Sequence, residues 1–185
     1  MIFSLLRRKK ANAAIVARQY QAITDAARQP GFYLDMNVPD TVMGRFEMVS
    51  AHMVLYFRRL RGAGEAAEKI SQEVVEAFFE DIDHSIRELG VGDAAVPKRM
   101  KKIGRMFYGR ANSYEAALDA GDAAALEAAL KRNIHPDAGD AAPDMAALAR
   151  HMLAAATSLE AVSQGDIDSG DVTFAPPSTD TGAAS

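Results

Sequence analysis

Apolar residues in this chain recur at steps of three and four, and almost no segment shows the period-two alternation of a half-buried strand. The constraint is strict, because a pattern written for helices cannot bury one face of a sheet. Phe46, Val49, Met53, Tyr56 and Leu60 form one such seam; Ile70, Val74, Phe78, Ile82, Ile86 and Leu89 form another. The reading is all-α: a single helical bundle of about six helices with a disordered C-terminal tail. Expected helices cover residues 5–28, 40–61, 65–89, 96–110, 122–133 and 144–162, punctuated by Pro30-Gly31, Gly62 and Gly64, and Gly90 and Gly92. Asp40 or Thr41 is suited to N-cap the second, and Pro97 to open the fourth. The division expected is an N-terminal amphipathic and basic helix over residues 1–30, a helical domain over 31–164, and a tail over 165–185 that ends in APPSTDTGAAS.

Composition excludes several functions. With no cysteine there is no disulfide, thiolate nucleophile or Cys-based metal site. Apolar runs such as Met53 to Phe57 fall far short of the roughly 20 residues that cross a bilayer. A bundle di-iron site needs two Glu-x-x-His pairs, and the chain offers one Asp-x-x-His at Asp81 and His84. No P-loop, dinucleotide glycine pattern or Ser-His-Asp arrangement emerges, and His52 reads as a packing residue. No catalytic residue, metal or cofactor is therefore assigned.

Charge is unevenly distributed. Up to Arg110 there are 18 basic and 13 acidic residues; beyond it there are 3 and 12, which gives the overall −4. The segment VPKRMKKIGRMFYGR, residues 96–110, holds six positive charges and no negative one. On a helix, Lys98, Lys101, Lys102 and Arg105 share one side, opposite Met100, Ile103, Phe107, Ala111 and Tyr114. A solvated face usually mixes signs and gains i, i+4 pairs, so a single-sign stripe points to an anionic partner or to the acidic helix before it. The turn at Gly90 to Asp93 sets those two helices antiparallel. Either Glu80 or Asp83 reaches the cations, or the stripe faces away. The net charge and the lack of a recognition motif speak against DNA.

The ordered motifs PDT, GRFE, RRLR, EDID, RELGVGD, VPKRMKK, FYGR and RN, between Phe32 and Ile134, resemble the ubiquinol-cytochrome c chaperone family, assembly factors of the respiratory cytochrome bc1 complex. The resemblance implies an all-helical, non-enzymatic chaperone. Its partner is newly made cytochrome b, before or after haem insertion, and mitochondrial members work near the ribosome with a small helical partner protein. The N-terminus, MIFSLLRRKK, lacks an Arg- and Ser-rich transit region and fits a bacterial member, placed in the cytoplasm and peripherally on the inner membrane. Ribosome contact and the small partner are left open. The alternative is a carboxylate-metal enzyme or small-ligand binder on the same scaffold.

A factor handling a nascent membrane protein works at a lipid surface, where each nearby Lys or Arg contributes about 1 kcal/mol toward anionic headgroups. Candidate client- or membrane-binding residues are Lys98, Lys101, Lys102 and Arg105, and Arg7, Arg8, Lys9 and Lys10 beside the apolar MIFSLL. Methionine suits surfaces that accept varied apolar helices. Met36 and Met43 are candidates for a client groove, and Met48, Met53 and Met106 for gap-filling in the core.

Overall fold

The computed structural model describes the backbone of residues 2–177 and the side chains of residues 12–177. Its helices are α1 (Ile2–Ala27), α2 (Pro30–Asp35), α3 (Val42–Leu60), α4 (Glu65–Glu88), α5 (Val96–Ala120), α6 (Ala123–Ile134), α7 (Ala146–Glu160) and α8 (Gln164–Ser169), with a 3-10 turn at Gly139–Ala141. Among the described residues there is no strand. The six long helices are those expected from periodicity; α2 and α8 are additions.

Helix α3 is the axis, packed against α1, α4, α5, α6 and α7. Its expected five-residue seam is too narrow. Met48, Ala51, His52, Met53, Val54, Leu55 and Tyr56 are all buried, while Phe46 and Val49 are only partly so. A helix apolar all round belongs inside, and the run Met53 to Phe57 carries that message. Thr41 is the N-cap: its hydroxyl accepts from the Gly44 amide at 3.1 Å. Gly44 lies so close to the loop that a Cβ there would stand 1.8 Å from the Pro39 carbonyl oxygen.

Pro30-Gly31 ends α1 as expected, and Pro30 also opens α2, where a proline loses no helical hydrogen bond. The stretch expected to be a loop therefore buries Phe32, Met36 and Val38. Helix α5 runs ten residues beyond FYGR and stops at Gly121 in the left-handed conformation, φ 62°. Gly90 has φ 78° and makes the α4–α5 turn. Leu89, expected in the α4 seam, is the C-cap and is exposed.

From Val16 onward α1 contributes Val16, Gln19, Ile23, Thr24 and Ala27 to the common interior. Of the segment expected as a tail, residues 165–177 are ordered on the bundle. Ile167, Val172 and Phe174 are buried, Gln19 Nε2 donates to the Ile167 carbonyl at 2.6 Å, and Pro177 rests on Gly31. Isolated apolar residues in a polar stretch gave no period to read. Residues 178–185 lie outside the described part.

Candidate functional site

Several of the charged motif residues pair between helices, and others pair locally. Arg58 pairs with Asp119 at 2.9 Å and Glu160 at 2.7 Å, and Arg61 with Asp119 at 2.7 Å and Glu115 at 3.1 Å. Arg59 donates to the carbonyls of Leu159, at 3.0 Å, and Val162, at 2.6 Å. Asp81 accepts from the Tyr20 hydroxyl at 2.8 Å, which together with burial raises the Tyr20 pKa. Asp83 pairs with Arg87, and Arg87 also with Asp93. Asp40 pairs with Arg45 at 2.8 Å.

In the interior, Arg110 grips Glu47 through both carboxylate oxygens. Its Nη1 donates to the Met106 carbonyl at 3.0 Å, and its guanidinium lies over the Phe46 ring at 5.7 Å. Burial pushes the Glu47 carboxyl up and Arg110 draws it back. Sequence reasoning counted Arg110 among the cations and missed this pair. The available signal was a charge inside each apolar seam: Glu47 between Phe46 and Met48, and Arg110 between Phe107 and Tyr114.

The stripe differs. Lys98, Lys101, Lys102 and Arg105 are all exposed and, among the described residues, none forms an ion pair. The acidic side of α4 does not reach them, since Asp83 is turned to Arg87 on its own helix. The α4–α5 hairpin is held by aromatic packing instead: Phe78 and Phe107 centroids are 5.1 Å apart, Phe79 and Phe107 5.9 Å. The position also works against the helix. The first turn of α5 contains no acidic residue and begins the cationic run, at the end where the macrodipole is positive and each like charge costs about 0.3–1 kcal/mol at low ionic strength. Of the four, Lys98 lies in that first turn, and all are exposed without an ion-pair partner among the described residues.

Beside the stripe, half-exposed Tyr108 forms one edge of an open groove of about 590 Å³. Val75 and Phe79 supply its apolar floor, and Glu76, Glu80 and His84 its α4 wall. Of the two methionines proposed for a client groove, Met36 is taken up by the core at 3 % exposure. Met43 remains exposed, as do Val42 beside it in the chain and Leu34, which lines an open pocket with Arg28, Tyr33 and Arg45. The side chains of Arg7, Arg8, Lys9 and Lys10 lie outside the described residues.

His52 is a packing residue, and a deeply buried one. Its Nδ1 lies 2.8 Å from the Met48 carbonyl and so carries the proton. Its ring meets the edges of Phe32 and Phe174, each at 5.3 Å. Burial lowers its pKa to about 4. His151 touches Phe32 from α7 at 5.0 Å; burial lowers its pKa, and its Nε2 has no hydrogen-bond partner. His84 is exposed and pairs with Glu88 at 3.1 Å. Among the described residues no three potential ligands gather around a common point.

Comparison with known proteins agrees with this architecture. Residues 34–174 match the family described as Ubiquinol-cytochrome C chaperone. A Xenopus laevis protein, ubiquinol-cytochrome-c reductase complex assembly factor 1, is 22% identical over 117 residues, which is 63% of this chain and 58% of the frog protein. The chain thus spans less than two thirds of that relative. The crystal structure of the Cbp3 homolog from Brucella abortus superposes with a TM-score of 0.84 at 49% identity, covering 95% of this chain and 97% of that one.

Proposed function

The chain belongs to the ubiquinol-cytochrome C chaperone family, and from that premise we propose that it is a non-enzymatic assembly factor of the cytochrome bc1 complex that receives newly made cytochrome b at a membrane surface. The observation that supports the surface role is the stripe Lys98, Lys101, Lys102 and Arg105, exposed and without ion-pair partners among the described residues along the first three turns of α5. At about 1 kcal/mol for each cation near anionic headgroups, four together favour the bound state by about 4 kcal/mol, roughly a thousandfold in partition. Among the described residues no helix is long and apolar enough to cross a membrane, so attachment by these residues is peripheral. Exposed Leu34, Val42 and Met43 and the Tyr108 groove are able to meet apolar client segments. The apo and haem-loaded client are both within this reading.

The fourfold variant Lys98→Glu, Lys101→Glu, Lys102→Glu, Arg105→Glu tests it. Wild type is expected to co-sediment with vesicles containing phosphatidylglycerol, less so as salt rises and the Debye length falls below about 8 Å. The variant is expected to stay in the supernatant and to lose cytochrome b capture from membranes. Its thermal midpoint should change little, because all four side chains are exposed and only Lys98→Glu falls in the first turn, where a glutamate is favourable. A variant that stays helical and matches wild type in both assays would sink the proposal.

A further inference from the structure

The end of the described chain is attached unlike the rest. Helix α8 is tied by backbone bonds that finish with the Asp171 amide donating to the Asp166 carbonyl at 2.8 Å. Among the described residues, none from Val172 to Pro177 makes a hydrogen bond of any kind to the bundle. The segment is neither helix nor turn, and its burial alternates, so Val172 and Phe174, two residues apart, face the bundle together. These two side chains are buried at 7 % and 9 % exposure, and Thr173 between them is exposed. Pro177 then closes on Gly31 so tightly that a Cβ on the glycine would lie 2.9 Å from the proline Cγ.

Beneath the strap is an aromatic and imidazole floor drawn from α2, α3 and α7. Phe32 is fully buried and touches both histidines edge-on, at 5.3 Å for His52 and 5.0 Å for His151, and Phe174 lies on His52. Phe174 of the strap covers His52, and the floor also holds one buried atom without a partner, Nε2 of His151. A buried polar atom left unpaired is costly, and a different peptide that reached it would be better held than the strap is. The strap is therefore a mediocre ligand built into the chain: a peptide, apolar at i and i+2, with no backbone bond to break on leaving.

We propose that residues 172–177 are a displaceable plug on a peptide-binding trough floored by Phe32, His52 and His151, and that an extended apolar segment of the client enters when the plug leaves. The identity of the occupant rests on the chaperone reading above; the plug itself does not.

The absence of native cysteines makes the test direct. An ideal Cβ on Gly31 lies 3.1 Å from the Pro177 Cβ, a few tenths of an ångström inside the roughly 3.5–4.5 Å that a disulfide spans. In the full chain carrying Gly31→Cys and Pro177→Cys, oxidation fastens the plug and reduction frees it. The probe is a fluorescein-labelled peptide that copies residues 170–177, GDVTFAPP, read by fluorescence anisotropy. The reduced protein is expected to bind it at least tenfold more tightly than the oxidised protein. Phe174→Ala, in an otherwise unaltered chain, should bind it at least tenfold more tightly than wild type. Equal affinity in the oxidised and reduced states overturns the plug, and so does lack of binding by a Phe174→Ala protein with unchanged helical circular dichroism. If peptide binding follows the lock while cytochrome b capture does not, the trough stands and the client reading falls.

Discussion

Replacing His52 by Phe should change how stability depends on acidity more than it changes stability at neutral pH. The ring is 2 % exposed, enclosed by Phe32 and Phe174, and its Nδ1–H is directed at the Met48 carbonyl. No carboxylate compensates a charge there, and the second imidazole, His151, would repel one. Burial accordingly holds the pKa near 4 in the folded state, against 6.5 ordinarily. The sign follows: above pH 6.5 the ring is neutral in both states and the folded protein has its full stability. As the pH falls from 6.5 to 4 the unfolded chain takes up a proton that the folded one refuses, so stability is lost through that window and the loss is constant below it. A separation of about 2.5 pH units, at 1.36 kcal/mol each, corresponds to about 3 kcal/mol. The assay is urea unfolding of wild type and His52→Phe at half-unit steps from pH 7.5 to 4. Other groups that titrate in this range contribute to both curves and cancel in the difference. Whatever offset the substitution causes at pH 7.5, the difference should move by about 3 kcal/mol in the variant's favour by pH 4. Two curves that remain parallel throughout would show that His52 is solvated or paired, contrary to the packing described.

Three further expectations concern stability and are read by chemical denaturation. Gly44→Ala places a methyl group on the Pro39 carbonyl, where the obstacle is backbone, and should cost about 3 kcal/mol, at the upper end for overpacking; an unchanged midpoint would mean the 38–41 loop yields freely. Thr41→Ala should cost about 1 kcal/mol by loss of the cap, whereas Asp40→Ala should leave the midpoint in place, since its only partner is the exposed Arg45. Arg110→Met leaves Glu47 buried and unpaired and should cost about 3–5 kcal/mol, while adding Glu47→Leu should restore much of that loss; additive losses would contradict the pairing.

The helices were legible because repeated apolar spacing is a local property, and six of them follow from it directly. What escaped depends on residues distant in sequence. Glu47 and Arg110 are 63 positions apart, and nothing in either seam names the other. Helix α2 was hidden because Pro30-Gly31 reads equally as the end of one helix and the start of the next. The strap was hidden because Val172 and Phe174 have too few apolar neighbours to form a pattern, and their burial comes from a floor built by α2, α3 and α7. The stripe was visible as a run of cations, but only the fold showed that Asp81 and Asp83 of α4 turn to Tyr20 and Arg87. Met36 and Met43 looked equivalent in sequence and were separated only by the turn at Asn37, which has φ 58°.

The anchoring of Arg59 also sets a clock. Its carbonyl partners, Leu159 and Val162, are 100 and 103 residues farther along the chain, so the C-terminal end of α3 cannot be completed until α7 has been made. At about 5–20 residues per second, that interval is roughly 5 to 20 s of synthesis. During it the central helix of the bundle has its α7 side uncovered, and Arg58 lacks Glu160 as well. Until α7 emerges, the nascent chain itself presents an unburied apolar helix face that awaits a later partner.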